Sequence, residues 1–409
     1  MPLSPITSFE HQKLIVGEFA GFSQKHLDAL EIYHDKLLNS KRPLFFDLVH
    51  KGIKFSSYVG ILQVGNCYIE VLPKLGNDNR FPEEKWRKLL CHMLSVTKNI
   101  KLNPTENSSL NLYKHKLWEL FYYAFIDEVE KLIRTGFCKA YQKEESNKNA
   151  LKGKLIFQKE LNKNLVHKEK FYTTSTEYTR DFLVNQIIKT ALDFCLNVDC
   201  VKSRAKKLVE EMQNISSINS LAVDWKVVEK LKESRKLSAY SNVLTLSKLI
   251  LNGINPDLNR GKMSVSAIMV DMNELFEEYV ARVIHTKSEN DVFVLVQQQR
   301  EIWNGRMCRP DIVCEKGNER IILDTKWKQV ESKGEVASAD MYQMFAYLHK
   351  FSESKKIAKK ALLVYPCVVE RSGLLDVNKI QKMETQQFEI ENTEKELGIC
   401  WFNVFGKYF

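Results

Sequence analysis

The segment RPDIVCEKGNERIILDTKWK (309–328) limits what this chain can fold into more than any other stretch. Gly317-Asn318 stands between two apolar runs. That pair marks a tight two-residue hairpin turn, whose central positions need the positive φ that Gly and Asn accept. With the turn fixed there, Lys316 faces Glu319, Cys314 faces Ile321 and Ile312 faces Leu323. Asp311 then falls opposite Asp324, the Cβ atoms of such a pair lying about 5 Å apart on one face of the ribbon. Lys326 comes two residues later and shares that face, while Thr325 and Trp327 face the other way. A three-residue loop or a bulge would move this register.

Two carboxylates placed so closely repel one another unless a cation lies between them. Mg²⁺ suits such a pair because it takes oxygen ligands and keeps several waters. It would polarise a phosphoryl oxygen and acidify a water, and Lys326 would orient that water or stabilise charge on the phosphate. This is the chemistry of phosphodiester hydrolysis. Asp-x-Lys alone is common on solvent-facing hairpins, where it makes ordinary ion pairs. The paired register and the preceding Pro310 favour a site. A third carboxylate is expected from the helix predicted over 271–285. Its apolar stripe is Leu275, Phe276, Tyr279, Val280, Val283 and Ile284, with Glu277 at the stripe's edge and Glu278 further into solvent. On a later predicted helix (338–351), Gln343 and Tyr347 share a face and could reach the site or a nucleic-acid backbone. Ordinary packing explains Gln343 and Tyr347 equally well, and a solvated helix charge explains Glu277.

The surrounding order also matters. A strand is predicted over 291–303 and another over 359–366, giving α-β-β-β-α-β, a mixed sheet flanked by helices. Upstream, residues 1 to about 80 read as strand-rich, with a hairpin at Gly65-Asn66. Residues 83–136 read as helical, closed by Gly136 as a C-cap. QKEESNKNALKGK (142–154) reads as a charged connector, and 180–196 and 201–213 as further helix. NGINPDLNRGK (252–262) is the best boundary before the last domain. The expected fold class is thus α+β and multidomain: 1–150 strand-rich then helical, 151–255 a helical connector, 256–409 an α/β domain carrying the hairpin.

Composition adds weaker constraints. A net charge of +10 is compatible with a polyanionic partner. The nine cysteines include no C-x-x-C and read as reduced, packed thiols. MPLSPITSFEHQKL lacks the basic and apolar regions of a signal peptide, and no apolar run is long enough to span a bilayer. The expected location is the cytoplasm, with no membrane partner.

Pro310-Asp311 followed by Asp324-Thr325-Lys326 resembles the PD-(D/E)XK nuclease signature, and Gln343-x-x-x-Tyr347 resembles the Q-x-x-x-Y element of its RecB-like members. RPDI…ILDTKWK is similar to the McrC family, the nuclease subunit of McrBC-type modification-dependent restriction systems. Softer similarities lie at 60–76, 136–155, 177–189 and 271–280. The resemblance implies a PD-(D/E)XK nuclease domain in which Asp311, Asp324, Lys326, Glu277 and Gln343 are catalytic. Asp311, Asp324 and Glu277 would be the ligands of Mg²⁺. It implies an endonuclease role in antiviral defence, acting on double-stranded DNA carrying methylcytosine. The partner would be a McrB-like AAA+ GTPase ring, engaged and stimulated by the N-terminal region. The chain has no G-x-x-x-x-G-K-[ST] phosphate loop, and NRGKMS (259–264) lacks its spacing, so any such motor is a separate protein. The alternatives are a RecB-like repair or defence nuclease without a GTPase partner, and a non-catalytic activator of a motor.

Overall fold

A computed structural model of the chain describes residues 6–39, 43–75, 81–98, 117–166, 169–198, 200–218, 223–232, 235–252, 265–288, 291–353, 356–368, 374–375, 386–388 and 395–405. The candidate boundary at 252–262 lies almost wholly outside them. The chain forms two compact units. One comprises residues 1–110 together with 257–409, and the other residues 111–256. The boundary expected at 255/256 lies within one residue of the observed one, but the division at 150/151 is absent and residues 257–409 join the N-terminal residues rather than standing alone. Ala140–Lys148 pairs across position 150 with Phe171–Thr179. Strand Val265–Asp271, far along the chain, completes the N-terminal sheet by pairing antiparallel with Tyr58–Val64.

In the first unit, the N-terminal sheet runs Ile6–Phe9, Cys67–Leu72, Tyr58–Val64, Val265–Asp271. The hairpin at Gly65-Asn66 forms as expected, with Val64 facing Cys67. Apolar residues of this sheet pack with helix Gln24–Asn39 and a small three-stranded sheet around a core containing Leu30, Phe46, Ile53, Leu62 and Ile69. Gly60 is required where the sheet is completed: it has φ of +137°, and a Cβ there would lie 2.0 Å from the Ile268 carbonyl oxygen.

Val265–Asp271 leads directly into helix Met272–Lys287. Asp271 caps that helix by accepting from the Asn273 amide at 2.8 Å. The Met272 amide donates to the Ser57 carbonyl at 2.8 Å, which ties the helix start to the N-terminal sheet. All six residues of the predicted stripe are buried.

The second sheet of this unit is mixed and six-stranded, in the order Phe293–Val296, Ile312–Lys316, Glu319–Thr325, Ile357–Cys367, Glu396–Asn403, Gln386–Phe388. Helix Ser338–Lys350 covers one face, where Val313, Ile322, Leu363 and Ile399 pack with Met344, Tyr347 and Leu348. Near helix Met272–Lys287, Phe276 meets Trp327 and Phe402 at ring distances of 5.2 and 6.2 Å. The single strand expected over 291–303 is two: Phe293–Val296 pairs with the site hairpin, and Arg300–Trp303 pairs with Arg306–Cys308. The break falls at Gln297, whose φ is +51°. The element order therefore carries more strands than α-β-β-β-α-β.

The second unit holds helices Leu117–Thr135, Leu183–Cys195, Lys202–Glu211 and Ser241–Asn252, with a three-stranded sheet. Gly136 follows the first helix at φ +86°. The charged connector expected at 142–154 is instead largely strand, Ala140–Lys148. Most of its side chains are exposed or half-buried on both faces, so no apolar alternation marks it, and backbone pairing carries it. All nine cysteines are free thiols. Among the described residues no helix is long and apolar enough to cross a membrane.

One buried charge ties the N-terminal sheet to the hairpin. Glu10 is 6% exposed. Its Oε1 accepts from Trp327 Nε1 at 2.7 Å and from the Lys74 amide at 2.9 Å. Burial pushes its carboxyl up to about 7, against the lowering effect of those two donors. A carboxyl raised in the folded state favours the protonated native form. Stability therefore falls as pH rises from the ordinary 4.5 to about 7, by up to about 3 kcal/mol. Glu10→Gln keeps Oε1 as an acceptor and removes the charge. Denaturation measured from pH 5 to 8 is expected to show the variant gaining on the wild type as pH rises, then holding a constant lead. Parallel curves would refute this account of Glu10.

Candidate active site

The hairpin register is the expected one: Lys316 pairs with Glu319, Cys314 with Ile321 and Ile312 with Leu323. The ladder ends at that last pair, and the next residues, Asp311 and Asp324, form its mouth. Pro310 has no amide to extend the ladder, and the Asp311 carbonyl instead accepts from the Gln297 amide at 2.8 Å. Asp311 Oδ2 accepts from both the amide and the hydroxyl of Thr325, at 2.7 and 2.9 Å. Thr325 was expected to face away from Asp311. Beyond the ladder, strand alternation no longer dictates where the Asp311 side chain lies.

Asp324 is two residues after Ile322 and points to the same face, toward helix Ser338–Lys350. Its side chain is 2% exposed, and its Oδ2 lies 2.5 Å from Lys326 Nζ. That oxygen is buried without a hydrogen bond of good geometry. Gln343 Nε2 approaches the other oxygen, Oδ1, at 3.4 Å and donates to the Tyr347 hydroxyl at 2.6 Å. Tyr347 in turn donates to the Arg309 carbonyl at 3.2 Å. Burial raises the Asp324 carboxyl, Asp311 adds to this, and Lys326 only partly offsets it. For Lys326, burial works against the charge, but Asp324 together with Asp311 and Asp340 outweighs it and the ammonium is held more firmly protonated.

Glu277 comes from helix Met272–Lys287, and its Oε1 accepts from Gln297 Nε2 at 2.7 Å. Burial pushes its carboxyl up to about 7, with further contributions from Asp311, Glu278 and Asp324. Glu277, Asp311 and Asp324 thus feel one another's charge at the hairpin mouth, with Lys326 and Gln343 beside them. Trp327 points away, into the contact with Phe276 and Glu10. Sequence reasoning missed Gln297 and Glu10. The three consecutive glutamines 297–299, closing an apolar run, were the available sign of a strand end.

Carboxylate oxygens are hard donors of the kind a divalent cation such as Mg²⁺ takes. Among the described residues, no group of three or more acidic, histidine or cysteine side chains is placed, as it stands, to hold a metal ion.

The family model for the McrBC 5-methylcytosine restriction system component matches residues 53–366. Among solved structures, the chain is similar to a refined half-complex from the tetradecameric assembly of Thermococcus gammatolerans McrB AAA+ hexamers with bound McrC. Identity is 21%, covering 98% of this chain and 94% of that one, with a TM-score of 0.58. A second match is to the cryo-EM structure of the T. gammatolerans McrBC complex, at 21% identity over 69% of this chain and 88% of that one, with a TM-score of 0.46. A search of curated proteins finds no match. The expected assignment to McrC in particular is corrected. The matching model describes a component of the McrBC system, and the assembly matched in structure contains McrB hexamers as well as McrC.

The burial of Glu277, next to Asp311, Glu278 and Asp324, has a measurable cost. Because Glu277 is raised, its ionisation destabilises the fold progressively as pH climbs from 4.5 toward about 7. Glu277→Gln, measured without divalent ions at pH 8, is expected to be more stable than the wild type by about 1–2 kcal/mol, allowing for partial exposure. The gain should vanish near pH 4.5. A variant no more stable at pH 8 would refute the raised Glu277 carboxyl.

Proposed function

Since this chain belongs to the family of McrBC 5-methylcytosine restriction system components, we propose that it is a DNA-cutting component of such a system, a Mg²⁺-dependent endonuclease with a PD-(D/E)XK domain. The observation that carries this reading is the convergence of Glu277, Asp311, Asp324 and Lys326 at one hairpin mouth. The mixed sheet with a helix contributing one carboxylate supports the same fold reading.

Glu277, Asp311 and Asp324 would hold Mg²⁺. When bound, the ion supplies Lewis acidity toward a phosphoryl oxygen and toward water. The protein's own groups do the rest. Thr325 fixes Asp311 by two hydrogen bonds, and Gln343, held by Tyr347, steadies Asp324 from the far side. The Lys326 ammonium, kept protonated, is placed to orient a water or to stabilise negative charge as the phosphate is attacked. Burial of the Asp324 carboxylate lowers the local dielectric and strengthens these interactions.

The substrate is double-stranded DNA. The net charge of +10 favours a polyanion, and the family's description points to 5-methylcytosine as the modification. The chain carries no phosphate loop, so a separate AAA+ GTPase ring would supply translocation, and this chain would engage and stimulate it.

The test is cleavage of methylated and unmethylated DNA with Mg²⁺, with and without the partner motor and GTP. Cutting of methylated DNA that needs the motor is expected. Asp311→Ala and Lys326→Ala should each reduce cutting by about 10³-fold or more while still binding the motor. Wild-type cutting by both variants would refute the site. Efficient cutting without any motor would instead favour a self-sufficient nuclease.

A further inference from the structure

Gln297 stands where strand Phe293–Val296 leaves the sheet, and it holds φ at +51°. A residue with a Cβ reaches that region only at an energetic cost. Two hydrogen bonds depend on it there. Its amide N–H donates to the Asp311 carbonyl, and its side-chain Nε2 donates to Glu277 Oε1. One residue thus joins the helix bearing Glu277 to the backbone bearing Asp311. Resting on the function proposed above, we propose that Gln297 is a positioning residue, orienting the Glu277 carboxylate toward the Mg²⁺ held with Asp311 and Asp324.

The residue type fits the task. Glu277 is a long side chain on a helix, with several rotamers open to it. A lysine or arginine at position 297 would hold the carboxylate but neutralise the charge the cation needs. An amide donor orients Oε1 and leaves the carboxylate its full charge. It also leaves Oε2 unengaged by this contact. The left-handed turn supplies the direction: at Gln297 the backbone turns out of the sheet, and the same residue's side chain reaches back to the helix. Partners that orient a metal's ligands are commonly worth 10–100-fold in affinity.

Two variants separate the side chain from the backbone. Gln297→Gly accepts φ +51° freely and removes the whole side chain, whereas Gln297→Ala removes the side-chain carboxamide and keeps the strain. On the full-length protein, Mg²⁺ binding is measured by calorimetry without DNA, and cleavage by the assembled complex is measured against Mg²⁺ concentration. Both variants are expected to bind Mg²⁺ about 10-fold more weakly. Their cleavage should be restored by raising Mg²⁺, with little change in the maximal rate. A Gln297→Gly protein with wild-type Mg²⁺ affinity and wild-type Mg²⁺ dependence would overturn the proposal while leaving the nuclease reading intact. A wild type that binds no Mg²⁺ would overturn both.

Discussion

The antiparallel pairing of Val265–Asp271 with Tyr58–Val64 is the constraint on which the site rests. The helix that carries Glu277 begins at the residue after that strand, and its first amide is tied to Ser57. The helix therefore takes its direction from a sheet made mainly by the first 72 residues. Gly60 allows the close approach, since any Cβ would collide with the Ile268 carbonyl. Glu10 makes the second tie, holding Trp327 one residue past Lys326. The N-terminal sheet is thus part of the scaffold of the site and fixes both the helix and the end of the hairpin.

At the hairpin mouth two opposing effects meet. Burial and mutual repulsion make each additional charge at Glu277 and Asp324 expensive. The hydrogen-bond donors that contact these carboxylates are largely neutral: the Gln297 amide, the Gln343 amide and the Thr325 amide and hydroxyl. They set geometry without cancelling charge. Lys326 is the exception, and it pairs with Asp324 alone among the three acids. The arrangement costs stability whenever these carboxylates are ionised.

What could be read from the sequence followed the range of the forces involved. The hairpin register was legible because a two-residue turn fixes it locally, and every expected pair up to Ile312–Leu323 formed. The helix stripe around Glu277 was legible for the same reason. Asp311 departed from strand alternation because the ladder stops one residue before it. Ala140–Lys148 was missed because a ribbon exposed on both faces has no apolar period to read. The pairing of Val265–Asp271 with Tyr58–Val64 leaves no local signal, since it depends on residues some 200 positions away. The broader restriction-system reading held, but the short motifs did not support naming one subunit.

The interrupted first unit also has a consequence for synthesis. Until Asp271 has left the ribosome, Tyr58–Val64 has no partner on one side and is an open sheet edge rich in buried-type residues. Such an edge is a template for pairing with other nascent chains. Closing the gap as an open loop would cost on the order of 5 kcal/mol, a barrier that shrinks if residues 111–256 collapse first into their own unit. Folding the middle unit before closure is the route of lower loop-closure cost, and the open edge is most exposed to other chains in the interval before it.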